Sequence, residues 1–215
     1  YSAMKLCAEV IKLVTTLTHA QCEALITDID RVCESQEDRG SLRRGSESRI
    51  FDFEAKSENA QDLVYKLMEV IPEEFSSKGL RLKTCLAIRN EAIDMPEGPD
   101  FGWHIDSLND QYKIFCYLTD VAEINGPTQI FPNTASLVAK IRGFVTGNYF
   151  ALNEIFGANG QRRYMSLSPT FAAAIRRRQK PLSLVSDAGE SYFVNTSGVH
   201  RACPCRSGKR YALTL

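Results

Sequence analysis

The stretch Phe101-Gly102-Trp103-His104-Ile105-Asp106 constrains this chain more than any other, because a histidine and a carboxylate stand two residues apart beside apolar, strand-forming residues. In an extended segment alternate side chains share a face, so His104 and Asp106 point one way and Ile105 the other. Two metal ligands therefore converge on one point. The chain has three histidines, and His19 sits in a helical pattern near the start, which leaves His200 as the natural third ligand. Two histidines and a carboxylate leave positions of a six-coordinate metal open for a co-substrate and dioxygen, the arrangement of non-haem Fe(II) oxygenases.

A chain of 215 residues is long enough to bury a sizeable core and reads as one domain. Lys and Arg together number 26, as do Asp and Glu, so the formal net charge is zero. No global field draws in nucleic acid or an anionic membrane. No apolar run reaches the length of a bilayer span, and the opening residues lack the basic, apolar and small-residue order of a secretion signal. Seven scattered cysteines, an odd number, fit a reducing compartment in which thiols stay free, and the expected location is cytoplasmic. Cys203-Pro204-Cys205 follows His200 closely, but a structural zinc site takes four ligands and no neighbouring pair completes this one.

Leu6, Val10, Leu13, Val14 and Leu17 have helical spacing, although residues 10–14 also fit a short strand. Thr18 is then a good N-cap, with Gln21 placed to complete a capping box. Cys22, Leu25, Ile26, Ile29, Val32 and Cys33 follow on one helical stripe, and His19 falls in the first turn as a surface or capping residue. Residues 34–47 are polar and charged and read as a loop, in which Arg43 and Arg44 are a solvated face or a contact for an anionic group. A second amphipathic helix covers residues 59–71, with Leu63, Val64, Leu67, Met68 and Ile71 toward the core, until Pro72 interrupts. Residues 80–89 change to period two, with Leu80, Leu82, Thr84, Leu86 and Ile88 on the buried face and Arg81, Lys83, Cys85, Ala87 and Arg89 on the other. An acidic loop over residues 90–99 leads to Trp103.

Beyond Asp106, residues 112–118 form an aromatic and β-branched strand closed by Asp120. Asn125-Gly126-Pro127 is a turn, and residues 129–131 are a short strand ended by Pro132. Short strands between turns point to an antiparallel sandwich or barrel with the metal site at one open end. Residues 134–141 look helical. Residues 143–165, with Tyr149, Phe150, Phe156 and Tyr164, read either as an insertion over the open end or as a peripheral helix with ordinary loops. Arg162-Arg163 and Arg176-Arg177-Arg178 are basic clusters, but nothing interleaves them with aromatics as a nucleic-acid interface requires. Residues 181–185 and 190–194 are two strands joined across Asp187-Ala188-Gly189. In the last strand Tyr211, Leu213 and Leu215 alternate with Arg210, Ala212 and Thr214. An arginine on a barrel interior needs an anionic partner, and a dicarboxylate would meet that need.

Trp103-His104-x-Asp106, the strand end Tyr117-Leu118-Thr119-Asp120-Val121, Asn125-Gly126-Pro127 leading to Phe131-Pro132, Gly189 before an aromatic strand, His200, and Arg210 ahead of Ala212-Leu213 occur in an order that resembles the phytanoyl-CoA dioxygenase family of Fe(II)/2-oxoglutarate oxygenases. The resemblance spans residues 80–215. It implies a mainly β protein, a double-stranded β-helix (a cupin-like jelly roll) with flanking N-terminal helices. The single domain 1–215 would comprise a helical part over 1–79, a β-helix core over 80–132 and 181–215, and an insertion or lid over 133–180. It further implies that His104, Asp106 and His200 hold Fe(II) and that Arg210 binds the distal carboxylate of 2-oxoglutarate, with Arg206 as the second choice. Thr119 and Tyr112, with Lys83, Arg89 and Thr128, are supporting contacts from strand faces. Two departures stand out: Pro132-Asn133-Thr134 replaces the family's glycine-serine-histidine turn, so the connection or lid there is expected to differ, and Thr128 replaces its leucine.

The activity implied is oxidation, by preference hydroxylation, of an unactivated C–H bond of a small molecule such as a natural-product or amino-acid-like intermediate. Dioxygen and 2-oxoglutarate are consumed and succinate and carbon dioxide released. Asp106 speaks against halogenation, which in this architecture takes a small residue at that position. The rival readings are a cupin-type metal-dependent isomerase or hydrolase, which needs no Arg210, and a non-catalytic binding protein on the same fold.

Overall fold

Period-two sequence along most of the chain becomes strands, in order β1 (Met4–Lys5), β2 (Val10–Lys12), β3 (Ser41–Arg44), β4 (Glu47–Ile50), β5 (Leu86–Glu91), β6 (His104–Ile105), β7 (Tyr112–Tyr117), β8 (Thr128–Ile130), β9 (Met165–Ser166), β10 (Leu182–Ser183), β11 (Ser191–Asn195), β12 (His200–Ala202) and β13 (Lys209–Thr214). The helices are α1 (His19–Glu34), α2 (Glu58–Glu69), α3 (Glu73–Ser76), α4 (Leu137–Val145) and α5 (Pro169–Arg176). This is a computed structural model, and it describes residues 4–13, 17–35, 41–44, 46–76, 79–93, 102–145 and 165–215. Val14, the four aromatics of 149–164, Arg162-Arg163 and most of the acidic loop lie outside these residues.

The described strands form two separate antiparallel sheets rather than one closed barrel. Eight strands run in the order β1-β2-β11-β7-β13-β5-β4-β3, and five in the order β10-β8-β12-β6-β9. Strand period two gives the larger sheet two different faces. On the outer face Ile114, Cys116, Phe193, Leu213, Ala87 and Ile50 pack against Leu25, Ile29, Leu63 and Leu67 of α1 and α2. On the inner face Tyr117, Tyr192, Val194 and Ala212 meet Ile130 and Leu184 of the smaller sheet. A third cluster of Trp103, Ile105, Phe131, Leu167 and Ala172 packs the smaller sheet against α5.

The N-terminal stretch resolves in favour of the strand, since β2 pairs with β11. Thr18 caps α1 as its sequence demands: the Gln21 amide donates to Thr18 Oγ1, and the Gln21 side chain accepts from the Thr18 amide. Such a cap is worth about 1 kcal/mol. No helix among the described residues is long and apolar enough to cross a membrane. The seven cysteines are free.

Three expectations are corrected. Residues 34–47 are not all loop, because β3 and β4 pair as a hairpin and extend the large sheet beyond β5. In residues 80–89 Leu80 and Leu82 pack against the core and Arg81 and Lys83 are exposed as expected, but the strand begins only at Leu86 and from Cys85 onward the faces are inverted. Cys85 and Ala87 are fully buried toward the helices, while Leu86 and Ile88 lie on the inner face. Arg89 is buried with them because Asp30 of α1 takes its Nη1 at 2.9 Å, and Lys83 is exposed. Finally, the strand expected over 181–185 is shorter, Leu182–Ser183, and the turn at Asp187-Ala188-Gly189 carries the chain from the small sheet to the large one.

Asp30 also accepts the Tyr211 hydroxyl at 2.9 Å, so one carboxylate ties α1 to β5 and β13. Asp30→Ala is expected to lower stability by roughly 2 kcal/mol, because it leaves a buried guanidinium and a phenol without their acceptor. Tyr211→Phe is expected to cost about 1 kcal/mol or less. Urea denaturation of the three proteins checks both values.

Candidate metal centre

His104 opens β6 and His200 opens β12, and the antiparallel register sets these two residues directly opposite each other. Their ring centroids are 4.3 Å apart with planes inclined at 52°. Asp106 follows β6, where its amide donates to the Thr196 carbonyl at 3.0 Å, so the chain before β12 fixes the chain after β6. Asp106 Oδ1 lies 3.7 Å from His104 Nε2, and Asp106 Oδ2 lies 3.6 Å from His200 Nε2. Among the described residues these three are the only group whose ligand atoms cluster so, all within 4.8 Å of one another.

Each imidazole has a fixed tautomer. His104 Nδ1 donates to the Gly102 carbonyl at 2.8 Å, and His200 Nδ1 donates to the Gly198 carbonyl at 2.9 Å. Both Nε2 atoms are thereby left unprotonated and face the carboxylate, the state a metal ligand requires. Burial and then the neighbouring His104 push the His200 imidazole down to about 3. Burial likewise lowers His104. Burial opposes ionisation of Asp106, but His200 and the ammonium of Lys113, with Nζ 2.8 Å from Oδ2, outweigh it and hold the carboxyl below the usual range. Apart from that ion pair, buried Oδ2 has no hydrogen bond. Two lone pairs and an anion facing one another repel unless a cation lies between them, so the donor set fits a divalent metal.

Support comes from residues that sequence reading passed over. Buried Glu9, just before β2, accepts the amides of Asn133 and Ala135 at 2.9 and 3.1 Å. Between them Thr134 Oγ1 donates to the Phe131 carbonyl and accepts the Val199 amide at 2.8 Å, which anchors the residue before His200. Asn133 takes φ 60°, a left-handed conformation that asparagine tolerates better than most residues. The repeated Gly-x-His at 102–104 and 198–200 was the sequence signal for the tautomer-fixing carbonyls.

Arg210 is 5% exposed and lies on the inner face of β13. Its Nη2 donates to Asn90 Oδ1 at 2.7 Å, its Nη1 reaches the Cys203 carbonyl at 3.5 Å, and its buried Nε has no hydrogen bond. No carboxylate among the described residues pairs with it. Asn90 in turn donates to Glu47 Oε2 at 3.1 Å, and Glu47 pairs with Arg49, so a polar row crosses β13, β5 and β4. Glu47 and Arg49 fell in or beside the segment read as loop.

The other expected contacts are scattered, with Thr119 beside the Arg210–Tyr211 backbone and Thr128 against inner-face Tyr117. Arg206 is exposed, held through its backbone amide to Ile124. Tyr112 is on the outer face, stacked on Phe193 with centroids 5.1 Å apart, because its strand parity is opposite to that of Lys113. Thr119 spends its hydroxyl accepting the Tyr211 amide, and Thr128 bonds the Tyr117 hydroxyl. Lys83 and Arg89 lie as described above. Cys205 Sγ faces the Ser207 and Gly208 carbonyls and joins no metal-ligand cluster among the described residues. His19 is on the surface beside Glu23.

No protein-family model and no curated protein matches the sequence. Solved structures do match in fold. The epimerase SnoN in complex with Fe3+, alpha ketoglutarate and nogalamycin RO gives a TM-score of 0.63 at 13% identity, covering 96% of this chain and 77% of that one. The non-heme alpha ketoglutarate dependent carbocyclase SnoK from nogalamycin biosynthesis gives 0.60 at 15% identity, over 96% and 78%. HygX from Streptomyces hygroscopicus with nickel and 2-oxoglutarate bound gives 0.54 at 11% identity, over 96% and 81%. At these identities the likeness is one of fold. The chain thus has a β-rich fold with N-terminal helices similar to the folds of these structures, and it carries a His/Asp/His cluster whose ligand atoms converge.

The neutral burial of His200 sets a pH dependence. In the metal-free protein His200 takes a proton only near pH 3, whereas in the unfolded chain it does so below about 6.5. The unfolded state therefore binds more protons in that window, and stability falls as pH drops from 6.5 toward 3. His104 adds to the same slope. Denaturant titrations between about pH 7 and 4 are expected to show this loss, and His200→Gln is expected to flatten it.

Proposed function

We propose that this protein is a non-haem Fe(II)/2-oxoglutarate-dependent oxygenase of the phytanoyl-CoA dioxygenase type that oxidises, by preference hydroxylates, a C–H bond of a small molecule. The observation that carries the reading is the pair of bare Nε2 lone pairs converging with Asp106, each fixed by an Nδ1–H bond to a carbonyl. His104, Asp106 and His200 hold the iron. When bound, iron with 2-oxoglutarate and dioxygen supplies the oxidation, in which 2-oxoglutarate becomes succinate and carbon dioxide and one oxygen atom goes to the substrate.

The chain's own part is binding, orientation and exclusion of water. Arg210 receives the distal carboxylate of 2-oxoglutarate. Its orphaned Nε and the nearby Nη2 offer parallel donors for a bidentate pair, and Asn90 keeps the guanidinium from swinging away. Exposed Arg206 is the weaker choice. A buried arginine with no acidic partner among the described residues also favours this reading over a cupin isomerase, which has no use for such an anchor. The retained Asp106 speaks against halogenation. The printed activities of the fold neighbours, an epimerase and a carbocyclase, keep other oxidative outcomes within reach of the same centre.

The described residues of this region, 133–145 and 165–180, act as an elaboration beside the triad. Two contacts support this: Lys140 of α4 donates to the Leu108 carbonyl at 2.7 Å, just past Asp106, and β9 pairs along β6. The primary substrate is taken to be a natural-product or amino-acid-like intermediate, with dioxygen as co-substrate.

Anaerobic titration with Fe(II) and 2-oxoglutarate is expected to produce a weak visible charge-transfer band in the parent. Asp106→Ala is expected to abolish the band, and Arg210→Ala to weaken 2-oxoglutarate binding at least tenfold while leaving metal binding in place. A folded parent that binds neither would overturn the reading.

A further inference from the structure

Lys113 has no part in the function set out above. It is the second residue of β7 and lies on the inner face, with the parity of Phe115 and Tyr117, opposite Val194. Its side chain is 33% exposed, and its ammonium meets a carboxylate 9% exposed, Asp106, at 2.8 Å. Where it lies relative to Arg210 follows from the register. β7 pairs with β13 through Phe115 opposite Thr214 and Tyr117 opposite Ala212. Lys113 lies beyond one end of that ladder and Arg210 beyond the other. A dicarboxylate that runs from the metal to Arg210 therefore runs away from Lys113.

Charge balance at the inner face completes the picture and rests on the function proposed above. Glu47 neutralises Arg49. Asp106 and one carboxylate of 2-oxoglutarate neutralise a metal dication held by two uncharged imidazoles, and the other carboxylate neutralises Arg210. Lys113 is then left with one positive charge, because its carboxylate partner is committed to the metal. The other acids near by are engaged: Asp110 accepts from Asn195 and Tyr112, and Glu9 accepts two backbone amides. A half-buried ammonium beside a metal cation is costly without an anion. Among the described residues no carboxylate other than Asp106 pairs with Lys113, which lies at the end of the inner face away from Arg210.

We propose that Lys113 recognises an anionic group of the primary substrate, a carboxylate, and so holds the carbon to be oxidised on the side of the metal opposite the 2-oxoglutarate anchor. The substrate class is then a carboxylic acid whose reacting C–H lies a few bonds from the carboxylate. Lys113 is the specificity-determining residue.

The test needs no knowledge of the natural substrate. The full chain is loaded anaerobically with Ni(II) and 2-oxoglutarate and titrated with acetate and, as its uncharged isostere, acetamide. The ligand-field bands of nickel and the fluorescence of Trp103, the only tryptophan and the residue next to His104, report binding. Acetate is expected to bind saturably and acetamide at least tenfold more weakly. Lys113→Met is expected to weaken acetate about tenfold or more, the range of one charge-assisted hydrogen bond, and Lys113→Arg to restore it. Acetate and acetamide acting alike, or acetate binding unchanged in Lys113→Met, would overturn the proposal and leave the oxygenase reading intact. So would a loss of 2-oxoglutarate affinity in Lys113→Met at unchanged acetate affinity, which would give the ammonium to the co-substrate. Failure of the parent to bind Ni(II) and 2-oxoglutarate would remove both readings.

Discussion

The site depends on one register: His200 of β12 opposite His104 of β6. A slip of one residue would turn every side chain of β12 to the other face and separate the imidazoles. β12 is held from both sides, by β8 through His200 opposite Ile130 and by β6. The flanking turns lock it further. Phe131 donates to the Val199 carbonyl, Thr134 accepts the Val199 amide, and Asp106 donates to the Thr196 carbonyl. Glu9, from the far end of the chain, fixes the turn that carries Thr134.

The large sheet keeps two kinds of chemistry apart by parity alone. Its outer face is a hydrocarbon surface for α1 and α2, and the one ionic cluster there, Asp30 with Arg89 and Tyr211, is a fastening between layers. Its inner face carries Glu47, Arg49, Asn90, Arg210 and Lys113 alongside Tyr117, Tyr192 and Ala212. A polar inner face would be a defect in an ordinary sandwich, since buried charge is costly. Here the charges lie on the same face as the converging His104, Asp106 and His200 side chains.

Where chemistry is local, the sequence is a good guide. His104 and Asp106 could be read from spacing, Arg210 from strand parity, and the capping box of Thr18 and Gln21 from residue type. Where a distant residue decides, it is not. Arg89 looks like a surface residue until Asp30 is brought to it, and that inverts the reading of β5, whose buried residues Cys85 and Ala87 are too small to signal a core. The hairpin of β3 and β4 was hidden because the inner-facing residues of β4, Glu47 and Arg49, are charged, so the apolar alternation that marks a strand is missing. Tyr112 reads as a contact from an inward strand face, yet its parity puts it with Phe193 under the helices. The failures on β4 fall where function replaced hydrophobic patterning, the place where local rules are expected to break.

Burial of His200 links folding to metal readiness. An exposed imidazole would be partly protonated near neutral pH, and each metal ion would have to displace a proton. At 4% exposure, with His104 alongside, His200 is pushed far below its ordinary range and stays unprotonated whenever the protein is folded. The backbone carbonyl of Gly198 then leaves it one tautomer. The packing that excludes water from the two sheets is therefore also what presents the lone pair, and the metal-free protein carries the cost as a stability that weakens in acid. A substitution that opened this region to water would relieve that cost and, in the same step, return His200 to competition between proton and metal.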